Sequence, residues 1–318
     1  MTTSETTVGK VQPPRKIRIF ALPAWLRNNP IIIKEMQSRM RGWRSIVGLT
    51  GFILLLSVIV SLIYFSFTSV GRNFSVNLLH ELGRVIFFTV YGIELFVVCI
   101  VSPALTAGAI STEKEQQTYD LLRTTMLSAR ALVLGKLVSA ISFVVLFMLA
   151  AIPIQSIAFM FGGLSIGEVV VGILILVLTA MTFGALGIFF SSFITKTRVA
   201  TAVSQVASLA FVAIIPGMTL IAVLSLDNSL NINQMNDLFQ IVFFSILWLI
   251  GITSPAVTAI ATEVFITEEQ ALYFMTGNLK SGATVYVPSP WLGFIILYPL
   301  VTMLLLFITI RIVQRTKS

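Results

Sequence analysis

Residues 41–67 read RGWRSIVGLTGFILLLSVIVSLIYFSF, in which Arg41 and Arg44 precede 23 residues without a charged side chain. A helix needs roughly 20 mostly apolar residues to cross a bilayer, so Ser45–Phe67 is long enough. Five more stretches repeat the pattern: Val85–Ile110, Leu137–Phe161, Val169–Ile194, Val199–Leu226 and Trp291–Ile310. Apolar residues make up 57% of the 318, and the mean hydropathy is +0.97. The chain reads as an all-α polytopic membrane protein with six transmembrane helices.

Charge sets the topology. Of 21 Lys and Arg, 18 fall in four places: before the first span, in residues 111–136, at Lys196 and Arg198, and in the tail at Arg311, Arg315 and Lys317. The other segments hold only Arg72, Arg84 and Lys280. Basic residues concentrate on the cytoplasmic side, which puts both termini in the cytoplasm of a multi-pass protein of the plasma (inner) membrane. The formal charge of +8 is then a matter of topology, and no nucleic-acid partner is expected. With one cysteine, Cys99, and one histidine, His80, read as lying in an outer loop, neither a disulfide framework nor a metal site is expected.

A seventh apolar stretch, Leu238–Phe265, is interrupted by Gly251, Ser254 and Pro255. Proline inside a helix removes a hydrogen bond and clashes with the preceding turn. A full crossing here would also reverse the sidedness of the basic tail. A re-entrant hairpin broken near Thr253–Pro255, entering and leaving on the outer side before the last span, keeps every loop within the charge rule. Thr267 and Gln270 have capping-box spacing, and Gly277 could end a short helix on the outer face.

The N-terminus divides into a basic cytoplasmic tail, residues 1–28, and an amphipathic interfacial helix, residues 29–44. Pro30 suits a first helical position, and Ile31, Ile32, Met36 and Met40 recur against Lys34, Arg39, Arg41 and Arg44. Trp25 and Trp43 fall at the inner boundary, Tyr286 and Trp291 at the outer one. The membrane-spanning body is 45–310, and 311–318 is a second cytoplasmic tail.

The largest inner loop, 111–136, reads STEKEQQTYDLLRTTMLSARALVLGK. Thr112 and Glu115 have capping-box spacing, which predicts a helix from Glu113. Tyr119, Leu122 and Met126 recur at helical spacing beside Thr118 and Leu121, and Ser128 can cap a helix running into the third span. A short amphipathic helix continuous with a span can pass a push into the membrane. Lying on the bilayer is the alternative; mixed charge suits a protein groove better than anionic lipid.

This loop resembles the signature of ABC type-2 permeases, the membrane subunits of ATP-binding-cassette exporters. Glu113, Glu115, Thr118, Tyr119, Leu121, Leu122, Thr124, Thr125, Leu127, Ser128, Gly135 and Lys136 match; Gln116 stands for a frequent Gly and Met126 for a frequent Pro. The stretch NNPIIIKEMQSRMRGWRS is similar to the amphipathic helix that begins that family. The resemblance implies a half-transporter whose loop helix docks on an ABC ATPase present in two copies, with a second permease, identical or homologous, completing the pathway. Glu113, Glu115, Thr118, Tyr119, Leu121, Leu122 and Met126 are the implied ATPase-coupling residues. Gly135-Lys136 lacks the other residues of a phosphate loop, so the chain is expected to be no enzyme and to hold no cofactor; ATP and Mg would sit on the partner.

Glu94, in the second span, stands at hydrocarbon depth, where a charge is expensive. It is either a pathway contact or a protonated carboxyl bound to a neighbouring helix. Ala200, Ser204 and Ser208, and Ala180, Gly184 and Gly187, form small-residue stripes that allow close helix approach, within the chain or between two copies. A stand-alone secondary transporter or channel is the alternative function; it usually places several polar residues or internal repeats at the midplane. No Ser/His or metal constellation in the spans points to an intramembrane enzyme.

Overall fold

A computed structural model describes residues 42–69, 76–118, 128–218, 220–221, 236–269, 272–278 and 284–315. The elements in chain order are α1 Trp43–Ser69, α2 Val76–Glu115, α3 Ala129–Phe161, α4 Ile166–Phe193, α5 Thr197–Leu209, α6 Asp237–Gly251, α7 Pro255–Glu269, strands β1 Phe274–Asn278 and β2 Thr284–Pro288, and α8 Pro290–Arg315. A π-helical turn, Ala210–Ile214, carries α5 on to Met218. Among the described residues six helices are long and apolar enough to cross a membrane. They correspond one for one to the six expected spans.

The bundle is built around α2 and α4. Half of the most apolar window of α2 and 56% of that of α4 is buried, against 17% for α1 and for α5. Tyr91, Leu95 and Val98 of α2 meet Val144 and Met148 of α3, Ile175, Leu176 and Phe183 of α4, and Phe294 and Tyr298 of α8. A second cluster joins Phe52 and Leu56 of α1 to Ile86 and Val90 of α2 and Ile154 of α3. Lipid offers little apolar driving force between helices, so close approach matters. The stripes supply it within the chain: Ala180, Ala200 and Ser204 are fully buried, and Gly184 and Gly187 lie against Thr106 and Pro103 of α2.

Several boundaries differ from the sequence reading. The helix that Thr112 and Glu115 were expected to start is instead the last turn of α2, which runs unbroken from Val76 through Pro103 to Glu115. His80 lies in the first turns of α2, not in a loop. Thr267 falls in the last turn of α7, and Gly277 lies in β1, so the short outer helix gives way to a hairpin. That antiparallel pair, with Thr276 opposite Tyr286, is the β element among the described residues. Residues 222–226 of the fifth expected span, and residues 29–41 of the interfacial helix, lie outside the described residues.

The seventh stretch is two helices. Between α6 and α7, Ile252 and Thr253 form a turn and Ser254 starts the next segment. Each helix has 15 residues, about 22 Å at 1.5 Å per residue and short of a roughly 30 Å hydrocarbon core. Protein groups cover the break: the Tyr298 hydroxyl donates to the Thr253 carbonyl at 2.9 Å, and Thr253 and Ser254 N–H donate to Ile250 and Gly251. Trp248 Nε1 donates to the Pro288 carbonyl (2.8 Å) and Trp291 Nε1 to the Leu272 carbonyl (2.8 Å), tying α6 to β2 and α8 to the segment that leads into β1. A Cβ at Gly293 would come within 2.7 Å of the Trp248 ring, so glycine is what lets that indole lie against α8.

Candidate functional site at the junction of four helices

The matched loop residues begin on the last turn of α2, and that turn is bonded to three other helices. Lys136 Nζ, 6% exposed on α3, donates to Glu113 Oε1 at 2.6 Å. Lys114 Nζ donates to the Ser192 carbonyl near the end of α4. Glu115 Oε2 accepts from the Thr197 N–H at 3.1 Å, at the first residue of α5. One turn earlier, Ser191 Oγ accepts from the N–H groups of Ile110 (2.9 Å) and Ser111 (2.8 Å), and Thr112 Oγ1 lies 3.2 Å from Thr197 Oγ1.

The helix then stops in a defined way. Gln117 has φ +55°, its N–H donates to the Lys114 carbonyl at 3.2 Å, and the Thr118 N–H donates to the Glu113 carbonyl at 3.0 Å. These are the two bonds of a Schellman cap, a motif that favours glycine at the left-handed position. The chain leaves the cap at Thr118 and returns at Ser128. There Ser128 Oγ accepts from the Ala131 N–H at 3.2 Å, the N-cap expected from the sequence.

The structure thus brings Glu113, Glu115 and Thr118 together at this junction. Tyr119, Leu121, Leu122 and Met126, the other expected coupling residues, lie outside the described residues. Ser191, Ser192 and Thr197 are partners that sequence reading did not pick out. Their only signal is a serine pair just before a basic turn, which gives no hint of what they hold. Lys136 and Glu113 both belong to the matched signature, yet their pairing becomes visible only when α2 is seen to run past Ile110.

Glu94 lies elsewhere, 3% exposed in the middle of α2, where Gln155 of α3 donates to its Oε2. Gln155 thus gives this carboxyl a hydrogen-bond partner on a neighbouring helix. Among the described residues no cluster of His, Cys, Asp and Glu is arranged to hold a metal ion. The junction offers stiffness rather than chemistry: an ion pair, a capped end and hydrogen bonds between α2 and the adjoining ends of α3, α4 and α5.

No curated protein matches the chain. The profile of the ABC-2 family transporter proteins, however, matches residues 29–313, nearly the whole length and all six helices long enough to span. Matched over that length, the chain belongs to the ABC-2 transporter family and is the membrane-spanning permease component of an ABC-type transporter.

Proposed function

We propose that this permease works as half of an exporter: two such chains, identical or homologous, line the pathway, and two copies of a separate ABC ATPase dock on the 111–136 loop. ATP and Mg bind the ATPase, and its closure rocks the membrane halves through the loop. The observation that supports this reading best is the anchoring of α2, where the Glu113–Lys136 pair and the Glu115–Thr197 bond join the loop's base to α3 and α5. A push on a loop held this way is shared among four helices. Both termini face the cytoplasm in this arrangement, α6 and α7 form the re-entrant hairpin on the outer side, and Glu94 contacts the pathway.

Because Cys99 is the one cysteine, a Cys99→Ser background permits single-cysteine cross-linking. Cysteine placed at Tyr119 or Leu122 is expected to cross-link to an ATP-hydrolysing subunit that co-purifies in detergent. Cross-links to phospholipid alone would end the coupling reading. For Glu94, the Glu94→Gln variant is expected to assemble normally and to change transport; unchanged transport would reduce the carboxyl to a packing group held by Gln155. A reporter fused after Ser318 checks the topology.

A further inference from the structure

At the other end of α2 a pocket opens between α2, α4 and α7, walled by Phe87, Phe88 and Tyr91 of α2, Glu168 of α4, and Thr262 and Glu263 of α7. Three oxygens on this wall have no hydrogen-bond partner: the Tyr91 hydroxyl, the Thr262 hydroxyl and Glu168 Oε2. Tyr91 is 5% exposed and Thr262 4%, so water outside the bundle does not satisfy them. Thr262 is informative because threonines within helices usually return their hydroxyl to the preceding turn, as Thr179 and Thr182 do here. Buried polar groups are rarely left unbonded, and several on one wall call for a shared partner.

The chemistry of that partner can be read from the wall. Glu168 Oε1 accepts from the Ser165 hydroxyl at 2.9 Å, which leaves Oε2 for something else. Glu263 is paired with Arg84, whereas Glu168 Oε2 is a carboxylate oxygen with no hydrogen-bond partner, which favours a positively charged donor. The Phe87 and Tyr91 rings stack with centroids 6.1 Å apart, and aromatic faces favour a weakly hydrated organic cation over a strongly hydrated metal ion. Gly172 makes room for the Tyr91 ring, since a Cβ there would meet its Cε2 at 3.1 Å. The free space for water-sized groups is about 30 Å³, enough for a small head and not for a bulky one. A primary ammonium brings N–H donors together with one positive charge, which suits bare carboxylate and hydroxyl oxygens.

We propose that this pocket binds a primary ammonium group, carried either by a free amine or by the ethanolamine head of a lipid. The site is independent of the coupling reading, because it needs neither the loop nor an ATPase. The test uses the full chain in phosphatidylcholine nanodiscs, with methylammonium titrated against the thermal unfolding midpoint. Methylammonium is expected to raise the midpoint, and tetramethylammonium, which has no N–H, to leave it unchanged at equal ionic strength. Glu168→Gln is expected to weaken the effect roughly tenfold or more, as loss of a charge-assisted bond does. Thr262→Val, nearly isosteric, serves as the second variant should Glu168→Gln fail to fold, and is expected to weaken binding while the chain still unfolds cooperatively.

Nanodiscs containing phosphatidylethanolamine separate the two sources. Retention of that lipid through detergent extraction, with loss of the methylammonium response, assigns the site to a headgroup; an unaltered response assigns it to a free amine. Equal responses to methylammonium, tetramethylammonium and sodium would overturn the proposal. So would unchanged binding in the variants.

Discussion

The two ends of α2 differ in how far their polar groups are tied to neighbouring helices. At the Glu115 end, side chains and backbone groups from four helices are bonded to one another: Glu113 to Lys136, Lys114 to Ser192, Glu115 to Thr197, and Ile110 and Ser111 to Ser191. Toward the Val76 end, Tyr91, Glu168 and Thr262 bury oxygens that bond to nothing. Glu113 Oε2 is also without a hydrogen-bond partner, but the junction's many bonds between helices favour one arrangement, whereas each unbonded oxygen raises the free energy of the chain. One helix therefore joins a rigid junction to a receptive pocket.

The largest test of this contrast is Lys136→Met, which leaves the Glu113 carboxylate without its α3 cation. Removing one partner of a buried pair costs about 3 kcal/mol or more, expected as a clear loss of thermal stability in detergent. Adding Glu113→Gln to that variant is expected to recover most of it. If Lys136→Met alone were neutral, the junction would not be the stiff element described.

Ser191→Ala comes next. It deletes an acceptor shared by two N–H groups, and interhelical hydrogen bonds in membranes are worth roughly 0.6–1.7 kcal/mol, so a loss of about 1 kcal/mol is expected by chemical denaturation. Gln117→Val is expected to cost about 1 kcal/mol as well, because a β-branched residue tolerates positive φ poorly. Gln117→Gly is the control and is expected to unfold no earlier than the parent. The smallest effect belongs to the other end of α2. Tyr91→Phe removes a hydroxyl that bonds to nothing, and stability is expected to stay within about 0.5 kcal/mol. A large loss there would mean that the hydroxyl already has a partner and that the contrast is false.

The spans were legible because their signal is long and local: Ser45–Phe67 needs no knowledge of its neighbours to be recognised. The break at Ile252–Ser254 was legible for the same reason, in Gly251, Ser254 and Pro255. The end of α2 was not. Thr112 and Glu115 have the spacing of a helix start, but Thr197 holds both of them, Ser192 and Lys136 hold the intervening Lys114 and Glu113, and the helix carries through. Tertiary bonds overrode a local cap. The β1–β2 hairpin was missed because Phe274–Asn278, FMTGN, has little alternation and a glycine that resembles a helix stop. Of the candidate site, Glu113, Glu115 and Thr118 were found by resemblance, while their partners Ser191 and Thr197 carry no motif that composition or spacing could reveal.

The π-helical turn at Ala210–Ile214 has a geometric sequel. A π turn accommodates one residue more than an α turn, so everything after it is rotated by roughly 100° relative to a continuous α-helix. Ala200, Ser204 and Ser208 look inward before it, whereas Ile214, Met218 and Ile221 look outward after it. Deleting a single amino acid from that turn would wind the helix back into phase and swing its oily far end toward the α6–α7 turn, where Ser254 now reaches the Val212 carbonyl.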